Sequence, residues 1–533
     1  MKVAALVALG LVAAAVALAS LRWLRVAQRE HYLDGSTTRM ALRWWRVSVD
    51  NTLLVALAVA SAAASVNFAP AAILTAGFAA FSPLRLGLRG RSSRLNWTRR
   101  MTTLASVTAV LEAVPIAAGA GAAGVAGAVP AAAFTTVLSP LIVDLALLLT
   151  EPFEERHARS FVRKATERLE RVHPVVVAVT GSYGKTTVKG YIAHLLAGQM
   201  NVLASPKSYN NRAGLSRTVN ELLGPATEVF VAEMGTYGPG EISALCSWLR
   251  PQISVITAIG YAHFERFKSL DRTLAAKSEI ARTASVVVLN LDDERLAELA
   301  PSLEAQGKRV LGASGADGGA DVCVLSNSEG LELLVRGSAL GRVNPSLSGG
   351  PSLASNAACA AAVALELGVP QEEVLSRLSD LPVAANRLER YVAEGGYVVL
   401  DDTFNSNPIG AHVALGRLAG AAAPNESGRE AGEVPLKTLD GRLVVVTPGM
   451  VELGSLQSSA NADFAEEAAS VADYLLVVAR TNRHALLAGA SRAKQGAKVL
   501  AFDRFDEARR WVASHLGPGD AVLYENDLPD HYP

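Results

Sequence analysis

The sequence predicts an α-helical membrane region followed by two α/β domains: a larger central one on a mostly parallel sheet, and a smaller Rossmann-like one after it. Three observations predict this. Long apolar blocks almost free of charge fill the first 150 residues. From residue 175 onward, short apolar strands alternate with helical patterns, as in a parallel sheet covered on both faces. At that junction Val175–Lys189 reads VVVAVTGSYGKTTVK, a buried strand that ends in a Gly-punctuated turn and opens a helix.

The apolar blocks come first. Val3–Leu21 is uncharged and long enough to span a bilayer. Thr52–Leu84 and Met101–Leu149 are each too long for one span, so each is expected to fold back on itself. Pro70 and the Gly/Ala-rich stretch Gly119–Gly127 are the turning points, which gives about five spans in residues 1–150. A cleaved signal peptide ending near Ala17-Leu18-Ala19 would account for the first block only. Arg22, Arg25, Arg29, Arg39, Arg43 and Arg46 separate the first two blocks; Arg85, Arg89, Arg91, Arg94, Arg99 and Arg100 separate the last two. The positive-inside rule puts both loops in the cytoplasm. The expectation is a multi-pass plasma-membrane protein with its N-terminus outside and everything after about residue 150 cytoplasmic. Trp23, Trp44, Trp45 and Trp97 flank these loops, as interfacial anchors do. Residues 151–174 turn charge-rich at helical spacing and read as a connecting helix, solvated or lying on anionic lipid.

Lys plus Arg equal Asp plus Glu at 50 each, so no electrostatic footprint for nucleic acid exists. The three cysteines have neither metal-ligand nor disulfide-framework spacing. The central domain is placed at 175–381. Its expected strands are Val175–Thr180, Val229–Glu233, Ile253–Ala258 and Val286–Asn290, with helices over Thr186–Leu196, Ile242–Trp248 and the Ala-rich Ala354–Leu367. The second domain is placed at 382–533, with strands near Tyr397–Asp401, Leu443–Thr447, Tyr474–Val478, Val499–Phe502 and Ala521–Tyr524. Ala419–Asp440 reads as a surface insertion.

The turn after the first strand carries the chemistry. Several backbone N–H groups and a helix N-terminus converge where a phosphate fits. Lys185 can reach β/γ-phosphates, and the Thr186 hydroxyl can bind Mg²⁺. Val179 stands where the usual loop has its first Gly, leaving a shorter T-G-x-x-G-K-T form. Glu233, in AEMGTYGPGEI, and His263, in IGYAHFERFKSLDRTLAAK, follow strands; Lys277 lies in the next helix. In an open parallel sheet, ligands bind beyond the carboxyl ends of the strands, where all of these would gather.

This order of motifs, over about residues 175–530, resembles the Mur ligase family, and most closely its branch that adds a dipeptide to a muramyl tripeptide. The resemblance implies a P-loop ATPase domain and an ATP-dependent carboxylate–amine ligase acting through an acyl phosphate. It implies ATP on Gly181, Ser182, Gly184, Lys185, Thr186 and Thr187, with Asn290 on the nucleotide side, Asn356 at adenine, and Arg387 and Asp402 completing the nucleotide site. It implies two Mg²⁺ ions on Thr186, Glu233, His263 and a carbamylated Lys277. Lys185, Lys277 and His263 are the expected catalytic residues. SYNNRAGLS, LDDTFNSNP (with Asn405 and Asn407) and GMVELG match further family segments.

The residue types suit that chemistry. A carboxylate and ATP are both anionic, so cations must screen their approach. A protonated lysine cannot ligate Mg²⁺, but a carbamate offers the oxygens that a hard cation takes. The chain departs from the family in three places. Membrane blocks stand where the family grips the UDP moiety, ENDLPDHYP replaces the usual K-G-S-R, and Gly350-Pro351-Ser352-Leu353 replaces G-R-H-N. The expected partners are therefore an amino acid or dipeptide amine, and a carboxylate acceptor that is a muramyl peptide, a lipid-linked precursor or a peptide polymer, at a lipid bilayer. A poly-γ-glutamate synthase-like ligase and a non-catalytic nucleotide-binding membrane scaffold are the alternatives.

Overall fold

The computed structural model describes residues 2–88, 95–327, 330–344, 351–382, 388–404, 406–420, 441–494, 496–528 and 531–533. The chain divides into two compact units: Met1–His157 with Ala479–Thr481 and Leu528–Pro533, and Ala158–Val478 with Asn482–Asp527.

The first unit is helical: Lys2–Arg29, Ser36–Arg46, Val49–Ala64, Ala71–Phe81, Arg99–Ala123 and the start of Val125–Val172. The chain turns at Pro70 and at Gly124, whose φ of 59° suits glycine. Among the described residues three helices are long and apolar enough to cross a membrane, or four if the bent pair Ser36–Arg46 and Val49–Ala64 counts as one span. This is fewer than the five expected, for a reason of length. The second block yields helices of 16 and 11 residues. These rise about 24 and 16 Å, short of a hydrocarbon core of about 30 Å. Polar contacts tie the helices together. Asp144 caps the N-terminus of Ser36–Arg46, accepting from Thr37 N at 3.1 Å and Thr38 N at 2.8 Å. Glu112 accepts from Ser20 Oγ at 2.5 Å and Ser139 Oγ at 3.3 Å. The last residues of the chain join this unit through Trp44 Nε1, which donates to His531 O at 2.8 Å, and His531 Nε2, 2.8 Å from Glu30 Oε1. The charged stretch continues the last long helix without a break to Val172.

The second unit holds two sheets. The larger comprises β1 Val175–Thr180, β2 Val202–Ala204, β3 Val229–Glu233, β4 Ile253–Ile256, β5 Val286–Asn290, β6 Arg309–Ser314, β7 Val322–Asn327, β8 Gly330–Val335 and β9 Ser338–Val343, in the order β2-β3-β1-β4-β5-β6-β7-β8-β9. Pairing is parallel through β7; β7-β8-β9 is antiparallel, a meander absent from the expected strands. Strand side chains alternate between two cores. Val177 and Val179 pack with helices Lys185–Leu196 and Pro351–Glu366; Val176 and Ala178 pack with helices Arg212–Leu222 and Glu241–Leu249. Both faces are buried, which explains the continuous apolar strand sequences.

The smaller sheet comprises β10 Glu389–Val392, β11 Val398–Asp402, β12 Leu443–Thr447, β13 Tyr474–Val478, β14 Lys498–Phe502 and β15 Ala521–Glu525, in the order β10-β11-β15-β12-β13-β14. Only β10 is antiparallel. One face is buried under helices Pro408–Gly420, Gln457–Val471 and Arg483–Ala490. Helix Phe505–His515 lies against β13 and β14 on the other, with Trp511 5.0 Å from the Tyr474 ring. The expected insertion at Ala419–Asp440 lies almost wholly outside the described residues.

Candidate active site

The loop between β1 and helix Lys185–Leu196 is fixed from the β4 side. Ser182 N donates to Ala258 O at 2.7 Å, and Gly260 N donates to Ser182 Oγ at 2.8 Å. Thr257 Oγ1 donates to Tyr183 O. Two glycines are required here. Gly184 has φ 78°, and a Cβ on it would lie 2.5 Å from Asn356 Oδ1; a Cβ on Gly181 would lie 2.0 Å from Thr257 Oγ1. Asn356, from the Ala-rich helix, is thus pressed against the loop. The Tyr183 ring covers Gly260, and burial raises its phenol pKa.

Two lysines converge on this loop, and a third lies beside it on Glu233. Lys185 Nζ donates to Gly181 O at 2.8 Å and to Ser182 O at 3.3 Å. Lys277 Nζ, from helix Leu270–Ser278, donates to the same Gly181 O at 3.0 Å. Lys277 is 3% exposed. Its burial first, and the Lys185 charge second, lower its pKa well below the ordinary lysine range. The third lysine, Lys189, was not anticipated. Its Nζ lies 2.9 Å from Glu233 Oε2 in a buried ion pair and 2.6 Å from Lys207 O. Thr186 Oγ1 donates to the same Glu233 oxygen at 3.0 Å, and Asn210 Nδ2 to the other at 3.3 Å. Residues 186 and 189 are one helical turn apart, so both face the end of β3. That spacing was the signal available in the sequence.

Asn290 closes β5 and donates to Thr257 O at 2.9 Å. Thr187 follows in the first helical turn, half-buried. His263 is held from the second sheet's side: its Nδ1 bonds the carboxylate of Glu452, and its ring meets Tyr237 edge-on at 4.7 Å. Glu452 lies inside the GMVELG segment, whose role the sequence left open. Asp402 ends β11 in register with Glu525 of β15 and accepts from Leu388 N at 3.1 Å. Glu525, also unanticipated, is buried; burial first, then the Asp402 charge, raise its pKa well above the carboxylate range. Arg387 and Asn405 lie outside the described residues.

A nucleoside triphosphate with Mg²⁺ fits this donor set. The Thr186 hydroxyl and Glu233 carboxylate are hard oxygens beside a helix N-terminus, and Mg²⁺ commonly takes one or two carboxylates plus phosphate oxygens. Among the described residues no three His, Cys, Asp or Glu gather to cage a metal.

The Mur ligase middle domain family matches residues 179–364. The UDP-N-acetylmuramoyl-tripeptide–D-alanyl-D-alanine ligase of Mycobacterium tuberculosis (strain ATCC 25618 / H37Rv) is 30% identical over 373 residues, covering 65% of this chain and 69% of that protein. The enzyme of the same name from Mycobacterium leprae (strain TN) is 32% identical over 259 residues, and the match spans 46% of this chain and half of that enzyme's length. Among solved structures, MurF ligase from Thermotoga maritima in complex with ADP matches with a TM-score of 0.57 at 22% identity, over 69% of this chain and 80% of that one. MurF from Acinetobacter baumannii gives 0.58 at 24%, over 69% and 78%. At these identities the structural matches speak to the fold.

Proposed function

This chain belongs to the Mur ligase family, and from that premise we propose that it is a membrane-anchored, ATP-dependent carboxylate–amine ligase of cell-envelope peptide synthesis. It acts in two steps. The acceptor carboxylate takes the γ-phosphoryl of ATP, giving an acyl phosphate and ADP. The amine then adds to the acyl carbon, phosphate leaves, and the amine gives up a proton.

The observation that carries this reading is Lys277. A buried lysine whose burial and cationic neighbour favour the neutral amine has the lone pair needed to attack CO₂. One C–N bond forms, one proton is released, and the side chain becomes an anionic carbamate beside the phosphate loop. Lys185 screens the phosphates, and the loop N–H groups from Tyr183 to Thr186 orient them, that of Ser182 being spent on Ala258 O. Asn356 borders the nucleotide through its contact with Gly184, and Asn290 fixes the Thr257 end of the loop. When bound, Mg²⁺ supplies further charge neutralisation, with Thr186 and Glu233 to hold one ion and His263 and carbamylated Lys277 to hold a second.

The relatives' names specify a UDP-muramoyl tripeptide and D-alanyl-D-alanine. With apolar helices occupying its N-terminal third, this chain is proposed to take a lipid-linked muramyl peptide with an amino acid or dipeptide amine on the cytoplasmic face. The test is phosphate release from ATP by detergent-solubilised protein, with UDP-linked and lipid-linked muramyl tripeptides compared, each with and without D-alanyl-D-alanine. Release is expected only when acceptor and amine are both present, and fastest with the lipid-linked acceptor. ATP binding without acceptor-dependent release would favour a nucleotide-binding scaffold.

A further inference from the structure

The contact between His263 and Glu452 joins the two α/β sheets at the candidate site. His263 follows β4 and opens the short helix Phe264–Phe267; Glu452 lies in the turn after β12. Both are non-glycine residues in the left-handed region, at φ 57° and 64°. Such backbone is strained and persists where its surroundings over-determine it. Here they do. Glu265 N donates to the backbone carbonyl of Glu452 itself at 2.8 Å. Gly454 approaches so closely that a Cβ on it would lie 3.2 Å from Glu265 Cα. The Tyr237 ring, itself under the Arg266 guanidinium at 4.7 Å, abuts the imidazole from the β3 side.

The chemistry of the pair fixes the imidazole. With Glu452 ionised, its carboxylate only accepts, so Nδ1 carries the proton and donates it to Glu452. In the neutral ring, Nε2 is then the atom with the lone pair. Carboxylates in this position orient metal-binding histidines and raise their basicity.

We infer that Glu452 is a positioning residue, supplied by the second α/β domain, that sets His263 in the tautomer and orientation needed to take a divalent cation. This rests on the proposed role of His263 as a cation ligand. The cation site is thereby completed only when the second domain is docked on the first.

Mn²⁺ binding, followed by electron paramagnetic resonance in the complex of full-length protein with a non-hydrolysable ATP analogue, tests this without turnover. Glu452→Ala is expected to weaken Mn²⁺ by about tenfold to a hundredfold. Glu452→Gln keeps an accepting oxygen for Nδ1–H and is expected to lose less. Hydrogen exchange at the Glu265 amide, bonded to the Glu452 backbone, reports docking separately and is expected to stay at the parent level in Glu452→Gln. Three results would overturn the inference. Parent-level Mn²⁺ affinity in Glu452→Ala, with His263→Ala weakened, removes the positioning role alone. Equal losses in the Ala and Gln variants, with faster exchange at Glu265, make Glu452 an ordinary interdomain clasp. Parent-level affinity in His263→Ala removes the cation role of His263, and the inference with it.

Discussion

At the scale of single residues, the site turns on one carbonyl and one carboxylate. Gly181 O receives both Lys185 and Lys277, and Glu233 receives Thr186, Lys189 and Asn210. The sequence named most of these side chains because a phosphate loop has a local pattern. It missed Lys189 although that residue stands one helical turn from Thr186, and it missed Glu452 and Glu525 because their roles arise from contacts between distant segments. Lys277→Ala is expected to abolish turnover and leave ATP binding within about twofold, with partial rescue by a short carboxylate; unchanged turnover would remove the carbamate from the account. Lys277 also makes stability depend on pH. Its folded-state pKa lies below its unfolded one, so between them the unfolded chain binds more protons and stability rises with pH. In CO₂-free buffer, Lys277→Met is expected to melt above the parent at neutral pH, with the gap closing as pH climbs into the ordinary lysine range. A gap that is flat with pH would contradict this. Gly184→Ala meets both the left-handed φ and Asn356, and ATP affinity is expected to fall about tenfold by calorimetry.

At the scale of elements, strands were legible and their neighbours less so. β1, β3, β5, β12 and β13 coincide with the expected runs because strands buried on both faces are continuously apolar. Strands β2 and β6, the meander β7-β8-β9 and the edge strand β10 were not anticipated. Half-exposed strands such as Ser338–Val343 carry no such run, and their pairing is set by neighbours in the sheet. The Ala-rich helix Pro351–Glu366 was anticipated, and its composition now has a reason. Ala357 to Ala364 are at most 1% exposed, where the helix packs on Lys185–Leu196 and the sheet. Small side chains permit that approach and so seat Asn356 on Gly184. Ala361→Leu is expected to destabilise the domain by about 1–3 kcal/mol, seen as a lower melting temperature together with weaker ATP binding. A variant that binds ATP at parent affinity would uncouple the helix from the loop.

At the scale of the whole molecule, the chain pairs an apolar helical unit with a unit holding the candidate site. On the proposed membrane anchoring, arginine placement puts the loops before residue 101 in the cytoplasm and the turn at Gly124 outside. The three native cysteines are buried, so engineered ones can be read against a low background. A membrane-impermeant maleimide added to intact cells is expected to label Gly124→Cys and spare Gly35→Cys; the reverse would invert the topology. The central claim is that the loop, the lysines and Glu233 activate a carboxylate by phosphorylating it. Isotope transfer tests that most directly: the acceptor, carrying ¹⁸O in its reacting carboxyl, is turned over with ATP and the amine, and the released phosphate is analysed by mass spectrometry. An acyl phosphate predicts one ¹⁸O in each phosphate released; phosphate free of ¹⁸O, formed alongside the amide product, would contradict the mechanism.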